Sequence, residues 1–374
     1  MKSMTSRKRL TGLLNRESID RVPISSYEIN PWDRENWYAR QPSYARLCEH
    51  IRSHADCLWM VGAPGFNNAE CPETVTEWRD GKSLYTKRII RTPKGDLQTV
   101  TRVDDDLHTI WMVEHPFKSI EDVDRYLSVP WEFGGCDMSG IERAKREIGD
   151  NGILLCDISD PICTPPDLFE FGNFLVAVFE HRKKLRELMD FLQERILTEL
   201  EYQLQHGAGP FWRMYGPEYA TPPYLPPELF KELVVDYDRP IIDLIHRYGG
   251  KVRLHCHGRI SEVLDYFVEM GADATDPIEP PPQGDIELAE VKRRVGDKMI
   301  LFGSMELCWL EYCTPQQIDE HVRVMMESAK EGGGYAILPT AAPINIPLKP
   351  ETERNYIQMI DSALKYGQYE WSGF

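Results

Sequence analysis

Hydrophobic and polar positions change rhythm part-way along the chain. From residue 138 onward, short apolar runs alternate with stretches in which apolar residues recur every three or four positions, the pattern of strands alternating with amphipathic helices. The runs 153–158, 210–215, 252–256, 274–276, 299–302 and 335–338 are predicted strands. The stretches 141–148, 185–206, 227–248, 260–270, 286–295, 315–330 and 351–364 are predicted helices. Adding the N-terminal runs 22–25 and 58–61 gives about eight strand candidates, which favours a parallel α/β architecture closed as a (β/α)8 TIM barrel over an open doubly wound sheet. Residues 5–15 predict a short basic helix. Between 28 and 130 the pattern is irregular: Trp32, Trp37, Tyr38 and Tyr44 cluster with charges, and 78–109 alternates as an antiparallel hairpin turning at Pro93-Lys94-Gly95-Asp96. This part reads as an insertion or elaboration on one domain spanning 1–374.

Composition narrows the class. With 374 residues, 42% of them hydrophobic, the chain can bury a sizeable core. It has no run near the ~20 apolar residues of a membrane span and no apolar leader after Met1, so a cytoplasmic enzyme is expected. The 43 basic and 60 acidic residues leave a net charge of −17, which disfavours nucleic acid or anionic membrane as the main partner. Nine cysteines without a CxxC pair predict buried thiols, not a disulfide framework or zinc knuckle. No glycine-rich nucleotide motif follows any strand. Gly332-Gly333-Gly334 reads as a helix C-cap.

Barrel enzymes place reactive groups at the C-terminal ends of the strands. That rule selects Asp157 and Asp160, Tyr215 and Glu218, His255 and His257, Asp276 and Glu279, Ser304 and Glu306, and Thr340. The pair His255/His257 is the sharpest feature. Residues i and i+2 of a strand share a face, so the two imidazoles are expected to converge, as for a metal ligand pair or a proton-transfer pair, with Cys256 facing the helices instead. A third ligand is then required. Glu218 is the first choice, since its strand precedes the His-x-His strand in order; Glu279 is the second, or else the carboxylate that holds a ring N–H. Two histidines and one carboxylate suit zinc or another divalent transition metal.

The segments Leu254-His255-Cys256-His257-Gly258, Asp276-Pro277-Ile278-Glu279-Pro280 with Gly284-Asp285-Ile286, Leu301-Phe302-Gly303-Ser304 and Gly332-Gly333-Gly334-Tyr335-Ala336-Ile337-Leu338 recur in order and at similar spacing in one group of enzymes. Over roughly residues 210–345 the chain resembles the uroporphyrinogen decarboxylase superfamily, which also holds cobalamin- and corrinoid-dependent methyltransferases. The resemblance implies a (β/α)8 barrel. Two departures shape the expected activity. The Arg-rich motif with which the decarboxylases grip a polycarboxylate is replaced by Tyr27-Glu28-Ile29-Asn30-Pro31-Trp32-Asp33-Arg34. The methyltransferases' zinc thiolates are also missing, since His257 stands where that branch has Cys and Pro339-Thr340-Ala341-Ala342-Pro343 contains no thiol.

The leading expectation is therefore metal-assisted methyl transfer from a methyl ether, an alcohol or another methylated small molecule to a corrinoid carried by a partner protein. In that reading His255, His257 and Glu218 hold the metal, Asp157 or Glu279 manages a proton, and Tyr215, Arg213 and Asp160 bind substrate. The alternatives are a metal-independent decarboxylase, which requires a cationic cluster at the mouth from Arg34, Arg40, Arg213 and Arg259, and a non-catalytic ligand-binding barrel. A homodimer is the default assembly.

Overall fold

The computed structural model describes residues 4–369. Seven strands, β1 (Cys57–Val61), β2 (Gly152–Ser159), β3 (Phe211–Tyr215), β4 (Lys251–His255), β5 (Ala274–Asp276), β6 (Ile300–Phe302) and β7 (Tyr335–Ala336), form one parallel sheet in chain order. Each coincides with a predicted run. The eighth run, 22–25, is not a strand, yet it touches both edges of the sheet: Ile24 makes a parallel bridge with Ile337, and its carbonyl accepts from the Asp56 N–H at 2.7 Å. The sheet is accordingly curled, and its own ladder ends at β1 and β7.

The two-residue period of these strands sorts the core into two clusters. Trp59, Leu154, Cys156, Trp212, Met214, Val252, Leu254 and Leu301 pack outward with the helices. Leu58, Leu155, Phe211, Ala274, Ile300, Phe302 and Ala336 face inward and meet Leu10, Leu13 and Leu14 of the helix Ser6–Leu14. That helix begins where the Thr5 hydroxyl caps the Lys8 N–H, and it seats its apolar side on the inner face of the sheet. Each of those buried leucines contributes about 1.5–3 kcal/mol of burial free energy. The helix is also anchored by charge. Arg9 donates to Asp56 at 2.5 Å and to Asp20 at 2.6 Å, Arg21 donates to the other Asp56 oxygen at 2.7 Å, and the Ile24 N–H adds a third bond at 2.9 Å. Asp56 is fully buried, so this network carries the charge that water would otherwise solvate.

The irregular N-terminal third holds a four-stranded antiparallel sheet, Glu73–Asp80, Ser83–Thr92, Gly95–Asp104 and Trp111–Glu114, in that order. Its central turn lies at Pro93-Lys94, as predicted, but it is twice the expected hairpin. The predicted helix 227–248 is built as Pro227–Phe230, a π-helical turn Lys231–Val235 and Asp236–Arg247. No helix among the described residues is long and apolar enough to cross a membrane.

Candidate active site

Register determines which polar groups meet. Along the inner face the apolar layer gives way, toward the C-terminal strand ends, to Asp157, Arg213, Arg253, His255 and Asp276, each two residues beyond another inward position. Asp157 lies beside Arg213, Arg213 beside Arg253, and His255 between Tyr215 and Asp276. Two neighbouring arginines require counter-charges, and each has one. Arg213 Nε donates to Asp157 Oδ1 at 2.8 Å. Arg253 is fully buried with its Nε 2.9 Å from Asp276 Oδ1; the N–H is not aimed at that oxygen, so this is a charge contact rather than a hydrogen bond. Asp276 Oδ2 bonds His255 Nδ1 at 2.9 Å. Burial alone would push the Asp276 carboxyl up, but Arg253 and His255 outweigh it and hold the group at about 2.

The other nitrogen of His255, Nε2, faces the Tyr27 hydroxyl at 3.4 Å, and that hydroxyl also accepts from Arg213 at 3.1 Å. Tyr27 reaches this position from a left-handed backbone conformation, φ 58°. Tyr27, Asp157 and Arg213 line a cavity of about 290 Å³, together with Glu28, Trp37 and His108. Trp37 stacks on His108, with ring centroids 4.4 Å apart, and packs edge-on against Tyr44. The aromatic cluster of the N-terminal third thus serves both the core and a cavity wall.

His257 belongs to a second site. β4 ends at His255, and the chain turns at Gly258, φ +85°, yet His257 still lies beside His255. The rings stand edge to face at 89°, with centroids 4.6 Å apart. His257 Nδ1 bonds Glu279 Oε1 at 2.8 Å, and the other Glu279 oxygen accepts the Gly258 N–H at 2.6 Å. Burial pulls the imidazole down, but the Glu279 hydrogen bond and charge outweigh it and raise its affinity for a proton above the ordinary 6.5. Burial likewise pushes Glu279 up, and His257 returns it below its ordinary value. With Nδ1 committed to Glu279, Nε2 is the ring nitrogen left for the cavity of about 650 Å³ that His257, Glu279, Glu218, Phe171, Tyr219 and Arg259 line. Glu306 lies close enough to feel both partners. It is buried, its Oε1 has no hydrogen-bond partner among the described residues, and Oε2 has only a long 3.4 Å bond from Thr340. Burial, reinforced by the Glu279 charge, lifts it from 4.5 to about 7, so it exchanges its proton around neutral pH.

The three expected metal ligands are neighbours, but their donor atoms do not converge. His255 is held by Asp276 and turned toward Tyr27, His257 is held by Glu279, and Glu218 accepts the Gly216 N–H at 3.2 Å. Among the described residues no group of three or more His, Cys, Asp or Glu side chains is arranged to hold a metal ion. The donor set does not fit a three-ligand centre, and Glu279 takes the role of the carboxylate holding a ring N–H. The other expected residues divide. Asp157 and Arg213 meet in the smaller cavity, paired with each other. Tyr215 lies under the Arg213 guanidinium, 5.4 Å from ring centroid to Cζ, and lines neither cavity. Asp160 is fully buried behind Gly216, bonding the Cys163 N–H at 2.8 Å; burial beside Asp238 and Glu218 pushes it well above the carboxylate range, and it too lines neither cavity. Gly216 is required there, with φ +131° and no space for a Cβ against Asp160. Arg34 and Arg40 line neither cavity, so the cationic cluster expected of a decarboxylase is not assembled. Arg253 was legible by parity from His255; Tyr27 carries no sequence signal, since its place depends on a left-handed turn after residue 25.

Comparison with known proteins follows from this geometry. The uroporphyrinogen decarboxylase (URO-D) family model matches residues 103–361. The chain belongs to the uroporphyrinogen decarboxylase family. Uroporphyrinogen decarboxylases from Pseudoalteromonas translucida and Aeromonas salmonicida are each 25% identical to it over 233 residues, 59% of this chain. The chain spans less than two thirds of those relatives, 63% and 62% of their lengths. Among solved structures, a methyltransferase from Methanosarcina mazei matches with TM-score 0.61 at 15% identity, covering 97% of this chain and 99% of that one, which supports the fold. The family is one of enzymes, and the match begins after most of the antiparallel sheet.

Proposed function

We propose that this uroporphyrinogen decarboxylase family member is a methyltransferase that removes a methyl group from oxygen or nitrogen of a small molecule by general acid assistance, with His257 as the acid. The observation that supports this reading is the charge of the larger cavity, where Glu218 and Glu279 are matched by Arg259 and the protonated His257, with no surplus of positive charge. A polycarboxylate such as a porphyrinogen would find no unpaired cation there, and in the smaller cavity Arg213 is already neutralised by Asp157. A methyl ether, alcohol or amine needs no such cation. The Val22–Ser25 segment is read as the eighth stave that completes a (β/α)8 barrel around the site.

In the transfer, the bond between the methyl carbon and the donor oxygen or nitrogen breaks, and its electron pair remains on that heteroatom. His257 Nε2–H delivers a proton to it, while Glu279 stabilises the imidazolium beforehand and fixes its tautomer through Nδ1. A reduced corrinoid on a separate protein would supply the electron pair that takes up the methyl group. Glu306, buried behind the dyad, keeps a second negative charge away from His257 while protonated, and on ionising it would raise the imidazole's proton affinity further. The metal-assisted alternative enters no step, since the donors do not converge.

The test offers the protein reduced corrinoid with a panel of methoxy-aromatics, methanol and methylamines, and in parallel offers uroporphyrinogen alone. Consumption of reduced corrinoid with one donor class and no decarboxylation is the expected result; decarboxylation without methyl transfer would reverse the assignment.

A further inference from the structure

The antiparallel sheet that precedes most of the family match ends in a strand with an unusual edge. Glu73–Asp80 pairs on one side only, with Ser83–Thr92, and all eight of its residues are exposed, including Val75 at 47% and Trp78 at 42%. Such an edge normally carries a device against pairing: brevity, proline, a bulge, charged side chains or a covering element; this one has only the charges Glu73, Glu77, Arg79 and Asp80, which are of both signs. This one has full length, three β-branched residues in succession (Thr74-Val75-Thr76), and unbroken register with its neighbour.

We propose that this edge pairs with the same edge of a second copy, joining two four-stranded sheets across a two-fold axis. The register follows from the turn. Asp80 pairs with Ser83 across the two residues Gly81-Lys82, so that pair exchanges both backbone bonds, and even-numbered residues of the strand face inward along the ladder. The backbone N–H and C=O of Glu73, Val75, Glu77 and Arg79 therefore point outward. A two-fold antiparallel partner must bond odd residues to odd residues, which leaves a small set of centred registers. Centring on Val75 places Glu73 against Glu77 of the partner subunit. Centring on Glu77 sets that carboxylate against its own copy. Centring on Thr76 places Glu73 opposite the partner's Arg79, twice, and Thr74 opposite the partner's Trp78, twice.

Centring on Trp78 also sets Glu77 against the partner's Arg79 but pairs only residues 76–80, whereas the Thr76 register matches the charges along the whole strand and forms about eight backbone hydrogen bonds. Within one chain Glu73 already contacts Arg88 at 3.3 Å and Arg79 contacts Asp105 at 3.0 Å, so pairing extends an alternating row of charges without stranding either group. Trp78, already stacked on Tyr85 at 5.2 Å, gains cover on its exposed edge from the partner's Thr74. The occupant is thus a second copy, because the strand's charge order is complementary to itself along its whole length in the Thr76 register.

Three proteins test it by light scattering coupled to size exclusion and by mild oxidation. Wild type is expected to have the mass of two chains. Val75→Pro removes an outward N–H that serves no bond within the chain, and is expected to give a folded monomer with an unchanged circular dichroism spectrum. Thr76→Cys places a thiol on the two-fold axis in a non-hydrogen-bonded pair, about 4.5 Å between Cα atoms, and is expected to form a disulfide-linked dimer under conditions that leave wild type and Thr74→Cys uncrosslinked. A monomeric wild type, or a dimer that survives Val75→Pro and whose Thr76→Cys variant does not crosslink, overturns the proposal.

Discussion

Replacing Glu306 by glutamine tests the physical description of the site without involving substrate. The carboxyl lies buried with one oxygen unpartnered and titrates near 7 in the folded chain against 4.5 when free. A folded-state value above the unfolded one means that the folded protein binds the proton more tightly. The stability this group contributes is complete below pH 4.5 and is lost as pH rises toward 7. Glutamine has nearly the same shape and never ionises, so the variant should lose nothing over that window. At 1.36 kcal/mol per pH unit, wild type should fall behind Glu306→Gln by about 2.5 kcal/mol between pH 5 and 8.5, most of it before pH 7.5. Urea unfolding of both proteins at several pH values measures this, and the difference between them cancels the titrating groups not coupled to Glu306, leaving its coupling to Glu279 and His257 in the signal. A gap that stays constant from pH 5 to 8.5 would show that the Glu306 carboxyl is solvated or paired, and would remove it from the site.

Glu279→Gln should lower the His257 proton affinity, since it removes the charge and the charge-assisted hydrogen bond that raise it; a proton NMR titration of the imidazole reads the fall. The sign of the wild-type effect follows: the His257–Glu279 bond stabilises the fold fully between pH 4.5 and 6.5, less as pH rises through the raised His257 value and less as it falls through the lowered Glu279 value, and the variant should lack both slopes. Asp56→Ala leaves Arg9 and Arg21 buried without their shared counter-ion and should cost about 3–5 kcal/mol in denaturant unfolding.

How far the sequence carries depends on how local the determining interaction is. The staves were legible because each is a short apolar run closed by a turn, and the period of two correctly separated Val252, Leu254 and Cys256, which face the helices, from Arg253 and His255, which face inward. The same period brought His257, two residues past the end of β4, beside His255 with ring centroids 4.6 Å apart, but what it did not display is that each imidazole is held by its own carboxylate, His255 by Asp276 and His257 by Glu279. Glu279 as holder of a ring nitrogen was readable from the strand-end rule. Glu306 was on the same strand-end list but received no role, because its significance comes from burial and from the Glu279 charge, neither of which a sequence displays. Tyr27 and the exposed edge Glu73–Asp80 required coordinates, the first for a left-handed backbone, the second for knowing which side of the strand is paired.

The central claim is that His257 delivers the proton in methyl transfer, and single-turnover consumption of reduced corrinoid by wild type and His257→Ala, with the donor class identified in the panel, tests it most directly. The expected result is transfer by wild type and a loss of about 10²- to 10⁴-fold in the variant with folding intact, partly recovered by added imidazole. Equal rates in the two proteins, or decarboxylation of uroporphyrinogen by wild type with no transfer from any donor, would contradict it.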